Sequence, residues 1–382
     1  MIDKYIEIYN KWEKKLIDIK IPSDDIERTR VHYIGCIIYF NTKIIIYNFI
    51  SFFLLPVAFI FSLKKSNIIK VSQVDALIVS PNKNYLLKDE DLPIRLNDSY
   101  KKREKVSLER GTIYKELFSC SIDDAGRSLV KQLIKKYPLA FYMNLSVLLH
   151  ISRYYKLILK YTPKAFITTQ TEQDFTTSAI TNYCEYKGIK YICVQHGEYC
   201  YNPSMAYMRF SEYYAWNKET IDNFELVNTK IEYAYLYTPE QLKPKLCKNS
   251  NPRFFLTFYL SEEDENDILK LKDVLQKFSK KGYQCSVRPH PHTPLLDLIN
   301  NVFKETNVFV ENSAIVPIET SMCNTQYIVA YRSTVLSKGF SNNMPIVIDD
   351  IVGDIQFLTL IHDINIKRAT MMMSDLVKKY CE

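Results

Sequence analysis

The sequence predicts two parallel α/β domains in tandem behind an apolar helical element. Three observations predict this. From residue 74 onward, short apolar runs alternate with amphipathic stretches, the pattern of strands and helices in a parallel sheet. The alternation breaks near residues 240 to 252 and restarts at Arg253. Ahead of it, "IIIYNFISFFLLPVAFIFSL" (44–63) carries no charge at all. At 382 residues the chain has room for two domains of ordinary size, placed at 71–250 and 251–382 behind an N-terminal region, 1–70.

Read in order, "MIDKYIEIYNKWEKKLIDIK" is charged from its third residue. It reads as an amphipathic helix with Ile6, Tyr9, Trp12 and Leu16 near one face, not as a signal peptide. Segment 44–63, bounded by Lys43 and by Lys64-Lys65, has the length of a membrane-crossing helix. Lysines and arginines flank it on both sides, so the charge rule gives no orientation, and Asn48, Ser51 and Pro56 interrupt it. An in-plane or re-entrant element fits these charges better than a true span, and a buried core helix pair is the remaining alternative.

"VDALIVSP" (74–81) reads as a buried strand entering a loop, and 88–111 as a solvated excursion. Helices follow in "AGRSLVKQLIKKYP" and "MNLSVLLHISRYYKLILKY". Then come the strand "KAFITTQ", the helix "DFTTSAITNYCEYKG" closed by Gly188, the strand and loop "KYICVQHGEY", and the strand "EYYAWN". The second series opens with strand "RFFLTFYLS". Helix "EEDENDILKLKDVLQKFSKKG" follows, acidic at its start and closed by Gly282. It continues through "YQCSVRPHPHT", "PLLDLINNVFKET", "NVFVEN", the short helix "VPIETSMCN", strand "TQYIVAY", helix "STVLSKGFSN" and strand "PIVID". The last helix is "TMMMSDLVKKYC".

Composition narrows the function. Lys+Arg 50 against Asp+Glu 43 gives +7, a mild excess suited to an anionic small partner or an acidic membrane. No dense basic stripe with interleaved aromatics supports nucleic-acid binding. Nine cysteines without a CxxC pair read as reduced buried thiols. Eight glycines leave no GxGxxG or GxxxxGKS loop.

In open parallel sheets, ligands bind where strands end at their carboxyl edge. That rule selects four loops: "RPHPHT", "YRSTVLSKG", "VQHGEY" and "TTQTEQD". Two prolines around His290 make the first rigid. Ser333 and Thr334, opening a helix, offer hydroxyls and free backbone N–H groups to a phosphate, and equally make an ordinary N-cap. His196, followed by Gly197, also suits a plain strand end, and Glu319 suits the first turn of a short helix.

The order His290-Pro291, Pro317-x-Glu319, Ser333-Thr334 resembles the nucleotide-binding half of bacterial sialyltransferases of the two-domain glycosyltransferase B (GT-B) architecture. Lipooligosaccharide sialyltransferases, polysialyltransferases and CMP-Kdo-using capsule enzymes belong to that set. The likeness covers residues 250 to 350. It implies two Rossmann-like parallel-sheet domains facing across a cleft, with the N-terminal one for the acceptor and the C-terminal one for the nucleotide sugar. It also implies that His290, with Pro291 fixing its loop, meets the donor phosphate, that Ser333 and Thr334 hold the phosphate or cytidine end, and that Glu319 holds the ribose hydroxyls. "VQHG" with "RPHP" is similar as well to CDP-glycerol polymerases, but Tyr331-Arg332 stand where those carry an aspartate before their serines. The D/E-D/E-G acid motif of sialyltransferases has no counterpart here, "TEQDF" (171–175) being the nearest acidic cluster.

A CMP-activated sugar needs neither metal nor cofactor if protein cations and N–H groups stabilise the leaving phosphate, and Arg288 and His290 are placed in sequence to do so. The attacking hydroxyl needs a base. The candidates are His196, then Glu198, then Glu172 and Asp174.

The expected activity is an inverting transfer of a nonulosonic acid, most simply sialic acid, to a lipid-linked oligosaccharide of O-antigen, capsule or lipooligosaccharide. The expected place is the cytoplasmic face of the inner membrane, as a peripheral or monotopic protein. The alternatives are a CDP-glycerol or other polyol-phosphate transferase, a CMP-Kdo transferase, a nonhydrolysing sugar-nucleotide epimerase that needs no apolar segment, and a polysaccharide-binding protein without activity.

Overall fold

A computed structural model of the chain describes residues 24–40, 43–64, 72–80, 87–108, 112–169, 171, 172, 174–243, 251–261, 263–291, 293 and 295–382, with positions 7, 9–11, 14, 22, 68 and 70. Most of the expected N-terminal helix, and His292, lie outside these residues. The chain divides into two compact units, Met1–Pro239 and Glu240–Glu382.

Unit 1 begins with α1 (Asp25–Phe40) and α2 (Ile44–Ser62). Its sheet, ordered β2-β1-β3-β4-β5-β6, is parallel throughout. The elements are β1 (Ala76–Ser80), α3 (Ile94–Ser99), β2 (Arg103–Ser107), α4 (Ile113–Phe118), α5 (Asp124–Lys136) and α6 (Phe141–Tyr161). Then follow β3 (Ala165–Thr168), α7 (Thr177–Tyr186), β4 (Lys190–Val194), β5 (Arg209–Ala215), α8 (Lys218–Leu226) and β6 (Lys230–Leu236). The central strands bury both faces, as parallel strands covered by helices must. Strands β1 and β3 are apolar up to their last residues, Ser80 and Thr168, β4 is apolar after Lys190, and β5 (RFSEYYA) is buried with Arg209 and Glu212 in it. Side-chain caps start two of the helices: Asp123 accepts from Gly126 N at 2.9 Å to open α5, and Asn217 from Thr220 N at 2.8 Å to open α8.

The stretch 88–111 is expected as a solvated excursion, but its described residues, 88–108, fold into α3 and edge strand β2, whose exposed charged residues (REKVS) hid it from a hydrophobic pattern. The other edge, β6, is exposed along most of its length for the same reason.

Helix α2 packs against α4 and α6, yet buries only Ser51, Leu55, Ala58 and Ser62. Ile45, Phe49, Phe53 and Ile60 are 82%, 66%, 57% and 64% exposed, which removes the core-helix alternative. It is the one helix among the described residues long and apolar enough to cross a membrane.

Unit 2 orders its parallel strands β12-β11-β10-β7-β8-β9. They arise from β7 (Phe254–Tyr259), α9 (Glu265–Lys280), β8 (Cys285–Arg288), α10 (Leu296–Phe303), β9 (Val308–Val310), α11 (Ile318–Cys323) and β10 (Thr325–Ala330). Next come α12 (Thr334–Ser341), β11 (Ile346–Ile348), α13 (Ile355–Leu360), α14 (Asn365–Arg368), β12 (Met371–Met372) and α15 (Met373–Cys381). A capping box of Asp264 and Asp267 opens α9, lysines fill its last turn, and Gly282 follows it at φ +88°, a left-handed turn that glycine adopts without strain. Gly339 lets α12 lie close on the sheet, since a Cβ there would stand 2.8 Å from both Ile328 and Ile346. Two six-stranded parallel α/β units behind an apolar helix are the fold class that the sequence predicts.

Candidate functional site

In unit 1 the candidate bases sit at the carboxyl edge of the sheet, in the loops after β3 and β4, but they fall into separate groups. Glu172 is fully buried; its Oε1 accepts from the Tyr213 hydroxyl at 3.1 Å, and Oε2 has no hydrogen-bond partner among the described residues. A carboxylate so enclosed has no surface on which to meet a substrate hydroxyl, so Glu172 does not fit the direct-base role expected of it. Burial, and next the charge of Glu172, push the Tyr199 and Tyr213 hydroxyls well above their ordinary pKa.

Tyr199 connects this carboxylate region to His196: its hydroxyl lies 2.7 Å from His196 Nδ1. His196 reaches solvent, but enough protein surrounds it that desolvation lowers its pKa from the ordinary value, with Glu172 pulling the other way. Its loop is held by Gln195, a buried residue that the sequence reading did not single out. Gln195 Oε1 accepts from Trp216 N at 2.7 Å and its Nε2 donates to Gly197 O at 2.6 Å, while its backbone carbonyl accepts from the Trp216 indole and the Tyr237 hydroxyl. Glu198, half-buried, accepts from Asn217 Nδ2 at 3.0 Å.

Asp174 belongs elsewhere. It accepts from Thr176 N at 2.9 Å and from the Thr176 hydroxyl at 2.8 Å, and its Oδ2 is 3.6 Å from His150 Nδ1 on α6. It therefore pairs with a histidine that the sequence reading left inside an ordinary helix. Nothing distinguished His150 there, and 29 tyrosines gave no reason to choose Tyr199.

In unit 2, β7 lies between β8 and β10, so the topology reverses beside β7. The loop carrying His290 leaves β8 and the helix capped by Ser333 leaves β10. Two interstrand spacings separate these strand ends by about 10 Å. His290 and Pro291 are exposed, and the His290 carbonyl accepts from Thr293 N at 3.0 Å. Ser333 Oγ accepts from Val335 N at 3.3 Å, the N-cap of α12, with Thr334 exposed in its first turn. Glu319 on α11 forms an ion pair with Lys338 on α12, so the second and third motifs meet at one helix. The Tyr259 hydroxyl lies 3.1 Å from Ser321 Oγ, tying α11 to β7.

Arg288 is buried at the end of β8. Its Nη1 donates to Glu311 at 2.6 Å and its Nη2 to the carbonyl of Val316 at 2.8 Å. With both terminal nitrogens engaged in holding the loop after β9, Arg288 does not fit the phosphate contact expected of it. After β7, burial raises the Glu263 carboxyl to about 7, helped by the charge of Asp349. Asp349 is raised by burial too, although it accepts from Ile351 N, Val352 N and Gly353 N. No group of three or more His, Cys, Asp or Glu among the described residues is arranged to hold a metal ion.

No protein-family model and no curated protein sequence matches the chain. Solved structures do. The UDP-GlcNAc 2-epimerase of Methanocaldococcus jannaschii, in complex with UDP-GlcNAc and UDP, is 12% identical over 81% of this chain and 91% of its own, at TM-score 0.44. The Neisseria meningitidis UDP-GlcNAc 2-epimerase, bound to UDP-GlcNAc, is 11% identical over 72% of this chain and 82% of its own, at TM-score 0.43. The lipopolysaccharide outer core galactosyltransferase WaaB is 10% identical over 81% of this chain and 88% of its own, at TM-score 0.42.

Proposed function

We propose that the chain is an inverting glycosyltransferase. It moves a nonulosonic acid, sialic acid in the simplest case, from a CMP-activated donor to a lipid-linked surface glycan at the cytoplasmic face of the inner membrane. The observation that carries this reading is in unit 2: the His290 loop and the capped start of α12 flank the carboxyl end of β7, where the topology reverses. Rigid N–H and imidazole donors at that place suit a phosphate, and a preorganised donor needs no rearrangement as charge develops.

In the reaction the acceptor hydroxyl oxygen forms a bond to the anomeric carbon as the bond from that carbon to the phosphate oxygen breaks. The electron pair leaves with CMP, and the hydroxyl proton passes to His196 Nε2. In the competent tautomer, His196 Nδ1–H donates to Tyr199. Glu319, beside α12, is the group for the ribose hydroxyls, and neither metal nor cofactor is required. The exposed apolar stripe of α2 supports membrane attachment of peripheral or monotopic kind, because apolar surface of that extent is removed from water by lipid.

The test is thermal stabilisation of the purified protein by CMP, CDP, UDP and GDP. CMP is expected to raise the midpoint, and His290→Ala to remove that rise. Stabilisation by UDP alone overturns the cytidine assignment, and by CDP alone favours the polyol-phosphate transferase.

A further inference from the structure

Unit 1 contains a cavity of about 340 Å³ between α2, α4, α6 and the loop after β3, away from His196. Its lining changes character along α6. Tyr142 and Leu145 stand toward one end, opposite Ile50 and Leu54 of α2; His150 and Arg153 stand toward the other. The eleven helical steps from Tyr142 to Arg153 correspond to roughly 16 Å. At the polar end, Arg153 Nη2 donates to both oxygens of Glu116 at 2.6 Å, and His150 faces Asp174.

Arg153 already has its carboxylate in Glu116, and Asp174 sets a second carboxylate beside His150, so the end offers donors and acceptors without an uncompensated arginine charge. That suits neutral hydroxyls and gives little to a phosphate or sulfate. The apolar end is continuous with the exposed face of α2: Tyr47 and Ile50 line the cavity and are 46% and 49% exposed. A molecule lying along that face can therefore enter with its head at Arg153 and His150 and its chain against α2.

We infer that this cavity is a glycolipid subsite, taking the junction between a lipid chain and a neutral sugar. Its volume holds one hexose and the first carbons of the chain, at the small end of ordinary ligand pockets. Its role as the acceptor site rests on the transferase reading above; the binding itself does not.

The probe is n-octyl β-D-glucoside below its critical micelle concentration, titrated by calorimetry and by saturation-transfer NMR. Two variants fill the cavity from opposite walls: Ser146→Trp on α6, half-buried, and Ile113→Trp on α4, 40% exposed. Saturable one-site binding is expected for the unaltered chain and at least tenfold weaker binding for either variant, with thermal midpoints and flotation on phosphatidylglycerol vesicles unchanged. Undiminished binding by a folded variant overturns the inference, and so does n-octyl phosphate binding as tightly as the glucoside.

If both variants fail to fold, a photoreactive octyl glucoside is cross-linked to the unaltered chain. Labels on α6 and on the cavity face of α2 support the subsite, and labels elsewhere sink it. Glucoside binding without any CMP effect removes the transferase reading alone. Transfer to an alkyl glycoside that Ser146→Trp leaves intact removes the subsite alone.

Discussion

Each unit has a buried arginine at the edge of its sheet in an ion pair, Arg209 in unit 1 and Arg288 in unit 2, and the two edges are opposite. In unit 1, Arg209 opens β5 at the amino edge and binds Asp25 of α1, Glu185 of α7 and, at 2.9 Å, Glu232 of β6. In unit 2, Arg288 closes β8 at the carboxyl edge and binds Glu311 and the loop carbonyls after β9. The same chemistry thus serves two ends. Arg209 binds three elements together at the amino edge, whereas Arg288 holds the loop after β9 against the end of β8, the strand from which the candidate His290 loop leaves. Both arginines fasten separate elements together, one at the amino edge and one at the carboxyl edge of its sheet.

The sharpest way to break this comparison is Arg209→Leu. It leaves three carboxylates facing one another, so a loss of about 3–5 kcal/mol is expected in the thermal transition of unit 1. The CMP response of unit 2 is expected to persist. Should that response vanish while unit 2 stays folded, the division of labour is wrong.

Next in size is an opposed response to pH. His32 is wholly buried, its Nε2 2.9 Å from Ser204 O, and burial depresses its pKa from 6.5 to about 4 against the charge of Asp174 and with that of Arg28. The unfolded chain takes up the proton first as pH falls, so unit 1 loses stability from about pH 6.5 down through 4, by about 3 kcal/mol in full. Glu263 is the reverse. Its carboxyl is raised from 4.5 to about 7, so its contribution is complete below 4.5 and is lost as pH rises through 7. Domain-resolved hydrogen exchange between pH 4 and 7.5 should show unit 1 weakening in acid and unit 2 weakening toward neutrality. Glu263→Gln is expected to flatten only the second slope.

A smaller effect is expected from Gly339→Ala. The added methyl must displace Ile328 or Ile346, costing about 1–3 kcal/mol, and it lifts α12 from the sheet. Denaturant unfolding measures the first effect, and a weakened CMP response the second. The smallest is Tyr199→Phe, which removes the hydroxyl at His196 Nδ1. Turnover is expected to fall about tenfold with nucleotide binding unchanged, and the acid limb of the pH–rate profile to move. An unmoved profile makes Tyr199 merely structural.

The central strands of both sheets were legible because parallel strands covered on both faces are largely apolar runs, "ALIVS" and "FFLTFY" among them. Strands β2 and β6 were not, because an edge strand has no buried face to enforce a pattern. For the candidate residues, loop positions could be read from strand ends, which places His196 at the carboxyl edge of one sheet and His290 and Ser333 at that of the other. Partnerships could not. That Glu172 lies under Tyr213, that Asp174 joins His150 across 24 residues, and that Arg288 is already satisfied are facts of three-dimensional packing. A local spacing rule contains none of them.

Helix α2 has a consequence for any measurement of mass. The chain's +7 charge keeps most of its surface apart from other copies, while one helix presents Ile45, Phe49, Phe53 and Ile60 to whatever is near. In plain buffer the nearest apolar surface is another copy of that helix, and in detergent or lipid it is the medium. Self-association is therefore expected to depend on whether detergent or lipid covers that face, and sedimentation with and without detergent measures it.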